Sequence, residues 1–291
     1  MPTALVDRIG TALNSRQPIL MYGPPGNGKS SLSQAAARGF RQMIYLPRCI
    51  EIDGQVIKIF DPTIHDEIKI DTGPDEHAAA RVLRQNIHDD RWVCCHRPFV
   101  STGVELTLDM LDLNFHPRAH YYDAPLQMKA CGGVLFINDF GKQLIRPIDI
   151  LNRWVVPLEH GADYFTLETG KKFSCVFDVQ LIFSTNLPLE QIMGAEILRR
   201  IPYRIRVEPP SQSEFIELFQ RECADREIEL PQDLCVFLIE ELYGTANLQF
   251  ARYHPRFFVD HAIAKSKFRK LPVRLDREIL TEAMQDLFAG D

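Results

Sequence analysis

Short apolar runs separated by polar turns fill the first two thirds of the chain, and helical spacing takes over in the last third. Residues 3 to 14 read as a short helix, and Pro18-Ile19-Leu20-Met21-Tyr22 as a strand. A helix runs from about Lys29 to Gly39, and a second strand covers Met43 to Leu46. Asp53-Gly54 between Cys49–Ile52 and Val56–Phe60 is a hairpin signal, because that dipeptide tolerates the positive φ of a tight turn. Residues 62 to 90 are polar and lack a clear period. A strand near Trp92 to Val100 follows, and Pro147 to Leu158 reads as a helix. Gly133 to Ile137 is a short, continuous apolar run, as expected of a parallel strand buried on both faces, and Val179 to Thr185 reads as another buried strand. Thr169-Gly170 marks a second hairpin, and Tyr203 to Val207 a further strand.

Beyond Pro209-Pro210 the pattern changes. Ser211-Gln212-Ser213-Glu214 has the form of a capping box, followed by Phe215, Leu218 and Phe219 at helical spacing. Further helices are predicted near 231–243, 255–268 and 276–288. Strands alternating with helices, then helices alone, indicate an α/β domain at 1–208 and an α-helical domain at 209–291.

Composition narrows the classes. The chain has 291 residues, 45% hydrophobic and 25% charged, with a net charge of −6. An acidic balance argues against non-specific nucleic-acid binding, which depends on neutralising phosphates. Lys265-Ser266-Lys267-Phe268-Arg269-Lys270 is a local basic run that reads as a solvated helix end. No apolar run nears the roughly 20 residues of a membrane span, and the first residues lack a secretory pattern. These features lead to the expectation of a cytoplasmic chain without membrane insertion. The 7 cysteines form no C-x-x-C pair, so thiol metal sites are not expected.

Gly23-Pro24-Pro25-Gly26-Asn27-Gly28-Lys29-Ser30 fits G-x-x-x-x-G-K-[ST], between a predicted strand and a predicted helix. Glycines let successive amides turn toward phosphate oxygens, and the helix start adds its positive end. Lys29 reaches the β- and γ-phosphates, and the Ser30 hydroxyl is placed to ligate magnesium. The second candidate is Asn138-Asp139, at the carboxyl end of the buried run Val134 to Ile137. Ligands bind at such strand ends in open α/β sheets. Asp139 could orient and deprotonate a water, and Asn138 could hold a magnesium-bound water. A plain strand-end turn also accounts for both residues.

With these residues in place, the chain resembles the AAA+ ATPases. Ala124 to Gly133 running into the acidic strand, and the hairpin around Thr169-Gly170, resemble the MoxR and magnesium-chelatase branch with its pre-sensor hairpin. Ile137-Asn138-Asp139-Phe140-Gly141-Lys142-Gln143 and Tyr253-His254-Pro255-Arg256 resemble bacterial predicted ATPases with chaperone activity. The resemblance implies a P-loop NTPase core, a three-layer arrangement around a parallel sheet, followed by a small helical lid. It implies ATP and Mg2+ as ligands, a hexameric ring of identical subunits, and a protein partner. It assigns Asn186 to sensor 1, Arg199 or Arg200 to the arginine finger, and Arg256 to sensor 2. Family members usually carry Asp-Glu where this chain has Asn138-Asp139, so slower turnover is expected. The stretch from Ser30 to Gly132 is also longer than usual, and partner specificity is expected there. A slow ATP-gated scaffold, a DNA-associated motor and a metabolic kinase are the competing readings.

Overall fold

The computed structural model describes residues 3–39, 42–68, 89–192, 199–246 and 248–288. Part of the polar stretch 62–90 (69–88), and Ile197-Leu198 before the paired arginines, lie outside the described residues. The chain divides into two compact units. One gathers the described residues of Pro2–Tyr22 and Ser30–Ile205, the other those of Gly23–Lys29 and Arg206–Asp291.

The first unit is built on α1 (Thr3–Asn14), β1 (Ile19–Tyr22), α2 (Lys29–Arg38), β2 (Met43–Pro47), β3 (Cys49–Ile52), β4 (Gln55–Lys58), β5 (Trp92–His96), β6 (Phe99–Thr102), β7 (Asn114–His116) and β8 (Tyr121–Asp123). It continues through α3 (Leu126–Lys129), β9 (Val134–Ile137), α4 (Pro147–Arg153), α5 (Val155–His160), β10 (Ala162–Thr166), β11 (Lys172–Val176), β12 (Gln180–Thr185), α6 (Leu189–Ile192) and β13 (Tyr203–Arg206). The central sheet has five strands in the order β13-β1-β12-β9-β6. β1, β12, β9 and β6 pair in parallel, with Tyr22 opposite Thr185, Phe183 opposite Ile137, and Ile137 opposite Thr102. Every residue of β9 and β12 is buried, which accounts for the unbroken apolar run of β9 and the Leu181-Ile182-Phe183 centre of β12. Leu20, Leu135, Ile137, Phe140, Trp154 and Phe183 form the centre of the core, each fully buried.

Two expected elements turn out differently. The Trp92–Val100 strand breaks at Arg97-Pro98, because a proline cannot donate to a ladder. β5 then pairs with β2 in a separate antiparallel ribbon, and only β6 joins the central sheet. The 147–158 helix is interrupted at Trp154, whose φ of −106° and ψ of 8° leave the helical range. Pro157 lacks the N–H that would continue the ladder across that point.

The surplus between Ser30 and Gly132 builds a four-stranded sheet, β3-β4-β8-β7. The β10-β11 hairpin packs on it through Phe165, against Ile57, Tyr122 and Met128. Lys129 anchors this sheet to α3: its buried ammonium lies 3.1 Å from Asp61 and 3.2 Å from Asp123.

The second unit carries α7 (Gln212–Ala224), α8 (Gln232–Val236), α9 (His254–Arg269) and α10 (Arg277–Leu287). α8 runs on as a wide π-helical segment, Phe237–Tyr243. The capping box forms in both directions: Glu214 N–H donates to Ser211 Oγ at 3.3 Å, and Ser211 N–H to Glu214 Oε2 at 3.1 Å. Phe215, Phe219, Tyr243, Phe258 and Leu280 fill the core. Within it Tyr243 Oη lies 2.6 Å from His254 Nδ1, and burial pushes the His254 imidazole down from 6.5 to about 4.

The sign of that shift fixes a pH dependence. The folded state keeps His254 neutral, while the unfolded chain takes up a proton once pH falls below 6.5. The stabilisation is therefore fully present above that value and drains away as pH drops toward about 4. Urea unfolding of the full chain is expected to show a loss of about 2 kcal/mol between pH 7 and 5 that His254→Gln does not share. Equal pH slopes in the two proteins would contradict it.

Candidate functional site

β1 ends at Tyr22 and α2 starts at Lys29, so the motif residues between them form a loop leading into a helix N-terminus. Gly23 has φ +137°, and a Cβ there would lie 2.5 Å from the Val207 carbonyl oxygen. At Gly26, with φ +73°, a Cβ would meet the Tyr253 ring at 2.3 Å. Glycine is thus demanded both by the dihedral and by close neighbours. Asn27 is buried and braces the loop from inside, its Nδ2 donating to Pro24 O at 3.4 Å and Pro25 O at 3.3 Å. The Lys29 ammonium is buried as well, donating to Gly23 O and Pro24 O, both at 2.8 Å. A charge so placed sits at the loop's first turn, before a helix start that favours anions.

Two consecutive amides of the second unit fasten onto this loop. Arg252 N–H donates to Asn27 Oδ1 at 3.3 Å, and Tyr253 N–H to Gly26 O at 3.2 Å. The Arg252 guanidinium, 13% exposed, pairs with Glu214 at 3.3 Å. The sequence motif Tyr253-His254-Pro255-Arg256 pointed to Arg256, gave Tyr253 no role of its own and left out Arg252. Arg256 stands on the first turn of α9, 70% exposed, with Nε 3.4 Å from Asp260.

In the first unit, the parallel register brings the residues after β9 and β12 to one edge of the sheet. Asn138 is the hub. Its Oδ1 accepts from Ser30 Oγ at 3.1 Å and from Ser184 Oγ at 2.6 Å. Its Nδ2 faces Asp139 Oδ2 at 3.5 Å. Asp139 has φ +50°, a left-handed conformation that costs a non-glycine residue about 1 kcal/mol and that aspartate tolerates better than most. Its Oδ1 accepts from Lys142 Nζ at 2.9 Å and from Asn186 Nδ2 at 3.4 Å. Asn186 Oδ1 is buried and finds no donor among the described residues.

Gln143 holds the turn. Its side chain is buried; Nε2 donates to Gly103 O and Asn138 O, both at 3.1 Å, and to Asp139 O at 3.3 Å. Its Oε1 accepts from Gly141 N–H at 2.9 Å. The available signal was a glutamine four residues past a strand-end acid, with a glycine between. The Ser184 hydroxyl was equally overlooked.

Ser30, Asn138, Asp139 and Asn186 therefore share one network, whereas the paired arginines do not enter it by these bonds. Arg199 is exposed, and Arg200 Nη1 donates to Asn152 Oδ1 at 2.8 Å. Both line a surface hollow with Pro18, Leu158 and Tyr203. The hydroxyl, amide and carboxylate oxygens gathered at the strand edge are hard donors of the sort Mg2+ accepts. Among the described residues no cluster of three or more His, Cys, Asp or Glu could cage a metal unaided. One or two protein oxygens plus waters and phosphates is the usual environment of this cation.

A family model described as "Domain of unknown function (DUF8689)" matches residues 211–286. No curated protein matches the chain. Among solved structures, NtrX from Brucella abortus is 13% identical with a TM-score of 0.57, covering 99% of this chain and 55% of its own. NtrX in complex with ATP gives 12% identity and the same TM-score, with 98% and 55% covered. The RuvB Holliday junction branch migration motor of Thermotoga maritima is 13% identical, TM-score 0.52, with 99% and 70% covered. This chain thus spans little more than half the length of NtrX. The fold is that of the P-loop NTPases of AAA+ type: a parallel central sheet with flanking helices, and a helical C-terminal region. Among the described residues no helix is long and apolar enough to cross a membrane.

The Gln143 bonds make a direct prediction. Gln143→Leu leaves the half-buried Asn138 carbonyl without its side-chain donor, while those of Gly103 and Asp139 keep Leu106 N–H and Lys142 N–H, and it is expected to cost about 1–3 kcal/mol in urea unfolding. A cost below about 0.5 kcal/mol would show that Gln143 does not hold the turn.

Proposed function

We propose that the chain is an ATP hydrolase of the AAA+ kind that binds ATP with Mg2+ and uses its turnover to remodel or regulate a partner protein. The observation that carries this is the Ser30 hydroxyl donating to Asn138 across 108 residues of sequence. It joins the end of the phosphate loop to the strand-end acid motif, the two parts such chemistry needs. ADP-bound and ATP-bound NtrX share the fold, which supports nucleotide as the ligand.

In this reading the amides of residues 23–29 and the Lys29 ammonium receive the triphosphate, and Ser30 with Asn138 and Asp139 meets the cation. Bound Mg2+ supplies charge neutralisation at the β- and γ-phosphates. Asp139 orients a water and accepts its proton as the hydroxyl oxygen bonds to the γ-phosphorus. The bond from that phosphorus to the bridging oxygen breaks, and the electron pair leaves with ADP. Asn186 Oδ1, buried without a donor among the described residues, suits a water hydrogen. The loop's bonds to Arg252 and Tyr253 give the helical unit a direct means of registering the loop's state. Arg256 is proposed as the sensor 2 residue on that unit, and residues 209–291 as a lid domain following the core at 1–208. The β10-β11 hairpin before β12 supports membership of the MoxR and magnesium-chelatase branch. A cytoplasmic ring, hexameric, with Arg199 or Arg200 completing a neighbour's site, is the assembly proposed.

One feature favours a second reading, a slow ATP-gated scaffold: Asn138 is neutral where a carboxylate would bind the cation more firmly. Asn138→Asp is expected to raise turnover if the neutral amide is what slows it, and no change would remove this support for the scaffold.

The trans arginine yields a separate outcome. Such a residue contributes about 10³ to 10⁵ in rate where it acts, so phosphate release per subunit should climb with protein concentration. Mixing Arg199→Ala/Arg200→Ala subunits with Lys29→Ala subunits should restore activity that neither has alone. Turnover independent of concentration, with no recovery on mixing, would remove the trans arginine.

A further inference from the structure

The C-terminal end of α9 carries a surface that the ATP site does not use. Lys267 to Arg274 are all exposed, and they hold four cations, three large apolar side chains and no acid. A solvated helix end accounts for the cations and leaves Phe268 unexplained. The core face of α9 runs through Phe258, Val259, Ala262 and Ser266. Phe268 lies about 200° round the helix from Ser266 and is 88% exposed.

The helix closes in a Schellman turn. Lys270, at φ +57°, donates its N–H to Lys267 O at 3.3 Å, and Leu271 N–H donates to Ser266 O at 3.0 Å. An apolar contact between the last two positions commonly accompanies this turn. Here the earlier position is a serine, and Leu271 stays 56% exposed, with Val273 at 40%. Lys270 takes the left-handed position that suits glycine best, so a charge is presented there against the backbone's preference.

Neighbouring acids answer only part of the charge. Lys265 pairs with Glu278 at 3.3 Å and with Glu282, Arg269 with Glu278 at 3.6 Å, and Arg274 with Asp276 at 3.4 Å. Lys267 and Lys270 have no carboxylate within 4.0 Å among the described residues. Two unanswered ammonium groups thus flank protruding apolar side chains, in a chain of net charge −6.

Shape favours one kind of partner. The hollow lined by Lys265, Arg269, Leu271 and Asp276 holds about 40 Å³, too small for the anchor side chain of a protein partner. Leu271 and Val273 offer no flat face on which a base would stack. A bilayer surface requires neither feature: anionic headgroups meet the lysines, and apolar side chains enter the boundary beneath them.

We propose that Lys267–Arg274 docks reversibly on an anionic lipid surface, with Phe268 and Leu271 entering the headgroup boundary and Lys267 and Lys270 meeting the lipid anions. The contact lies on the membrane and does not span it. α9 has 16 residues, so about 24 Å of helix separates the patch from the phosphate loop bonded at Tyr253. The docking therefore stands apart from the ATP reading.

The test sediments the full chain, without nucleotide, with vesicles of phosphatidylcholine alone or mixed roughly two to one with phosphatidylserine. The wild type is expected to bind the mixed vesicles, to ignore the neutral ones, and to be released by high salt. Lys267→Gln/Lys270→Gln should lower the partition about 25-fold, at about fivefold per lysine. Phe268→Ser should lower it about tenfold. Phe268→Trp should keep binding and add an indole emission that shifts to the blue on the mixed vesicles. Wild-type binding to neither vesicle, equal binding to both, or anionic binding that neither loss variant weakens would overturn the proposal. So would a salt-sensitive complex with single-stranded DNA or polyglutamate in place of vesicles, which would make the occupant a nucleic acid or an acidic protein.

Discussion

A serine at the start of one helix donates to an amide at the end of a strand 108 residues later, and the chemistry proposed for this chain depends on that contact. It exists because β12 lies between β1 and β9 in a parallel sheet. Parallel pairing aligns carboxyl ends, so Tyr22, Thr185 and Ile137 finish near one edge. The residues that follow each strand then emerge together, and Ser184 adds a second hydroxyl to Asn138 at 2.6 Å. A sheet of another order would scatter the same residues. The buried runs of β9 and β12 thus serve the site by fixing its register as well as filling the core.

The polar edge is a network in which each member constrains the next. Asn138 accepts two hydroxyls and turns its amide toward Asp139, a geometry a carboxylate could reproduce only in part, having no donor. Asp139 sits at a positive φ that an ordinary side chain avoids, and Gln143 holds it there through main-chain carbonyls. Buried polar groups of this kind are costly when half satisfied and rigid when complete.

The glycine-bearing loop between β1 and α2, both hairpins, the capping box and the buried strands were legible because each is written locally, in glycine positions, turn dipeptides and apolar runs. The central parallel sheet and the helical C-terminal region followed from their order. Long-range partnerships were not legible. Nothing in Met43–Pro47 reveals that it pairs with Trp92–His96 outside the main sheet, since both sequences suit either setting. Residues 23–29 group with the helical unit, where backbone amides at 252 and 253 bond to them without any residue-type signal. For the same reason Arg256 drew notice while Arg252 did not: one belongs to a motif, the other acts through its main chain. Gln143 and Ser184 make ordinary bonds to unordinary neighbours, and only the fold shows who those neighbours are. At 12–13% identity, NtrX and RuvB testify to the fold, and the functional reading stands on the site itself.

The central claim is that residues 23–30 close around a triphosphate with the Lys29 ammonium as the fixed charge. Isothermal titration of the purified chain with ATP, in the presence and absence of magnesium, measures it directly. The account predicts binding that needs magnesium for full strength and that collapses on reversing the charge, Lys29→Glu, while circular dichroism shows the fold retained. Heat of binding absent from the wild type, or identical in the two folded proteins, would contradict it.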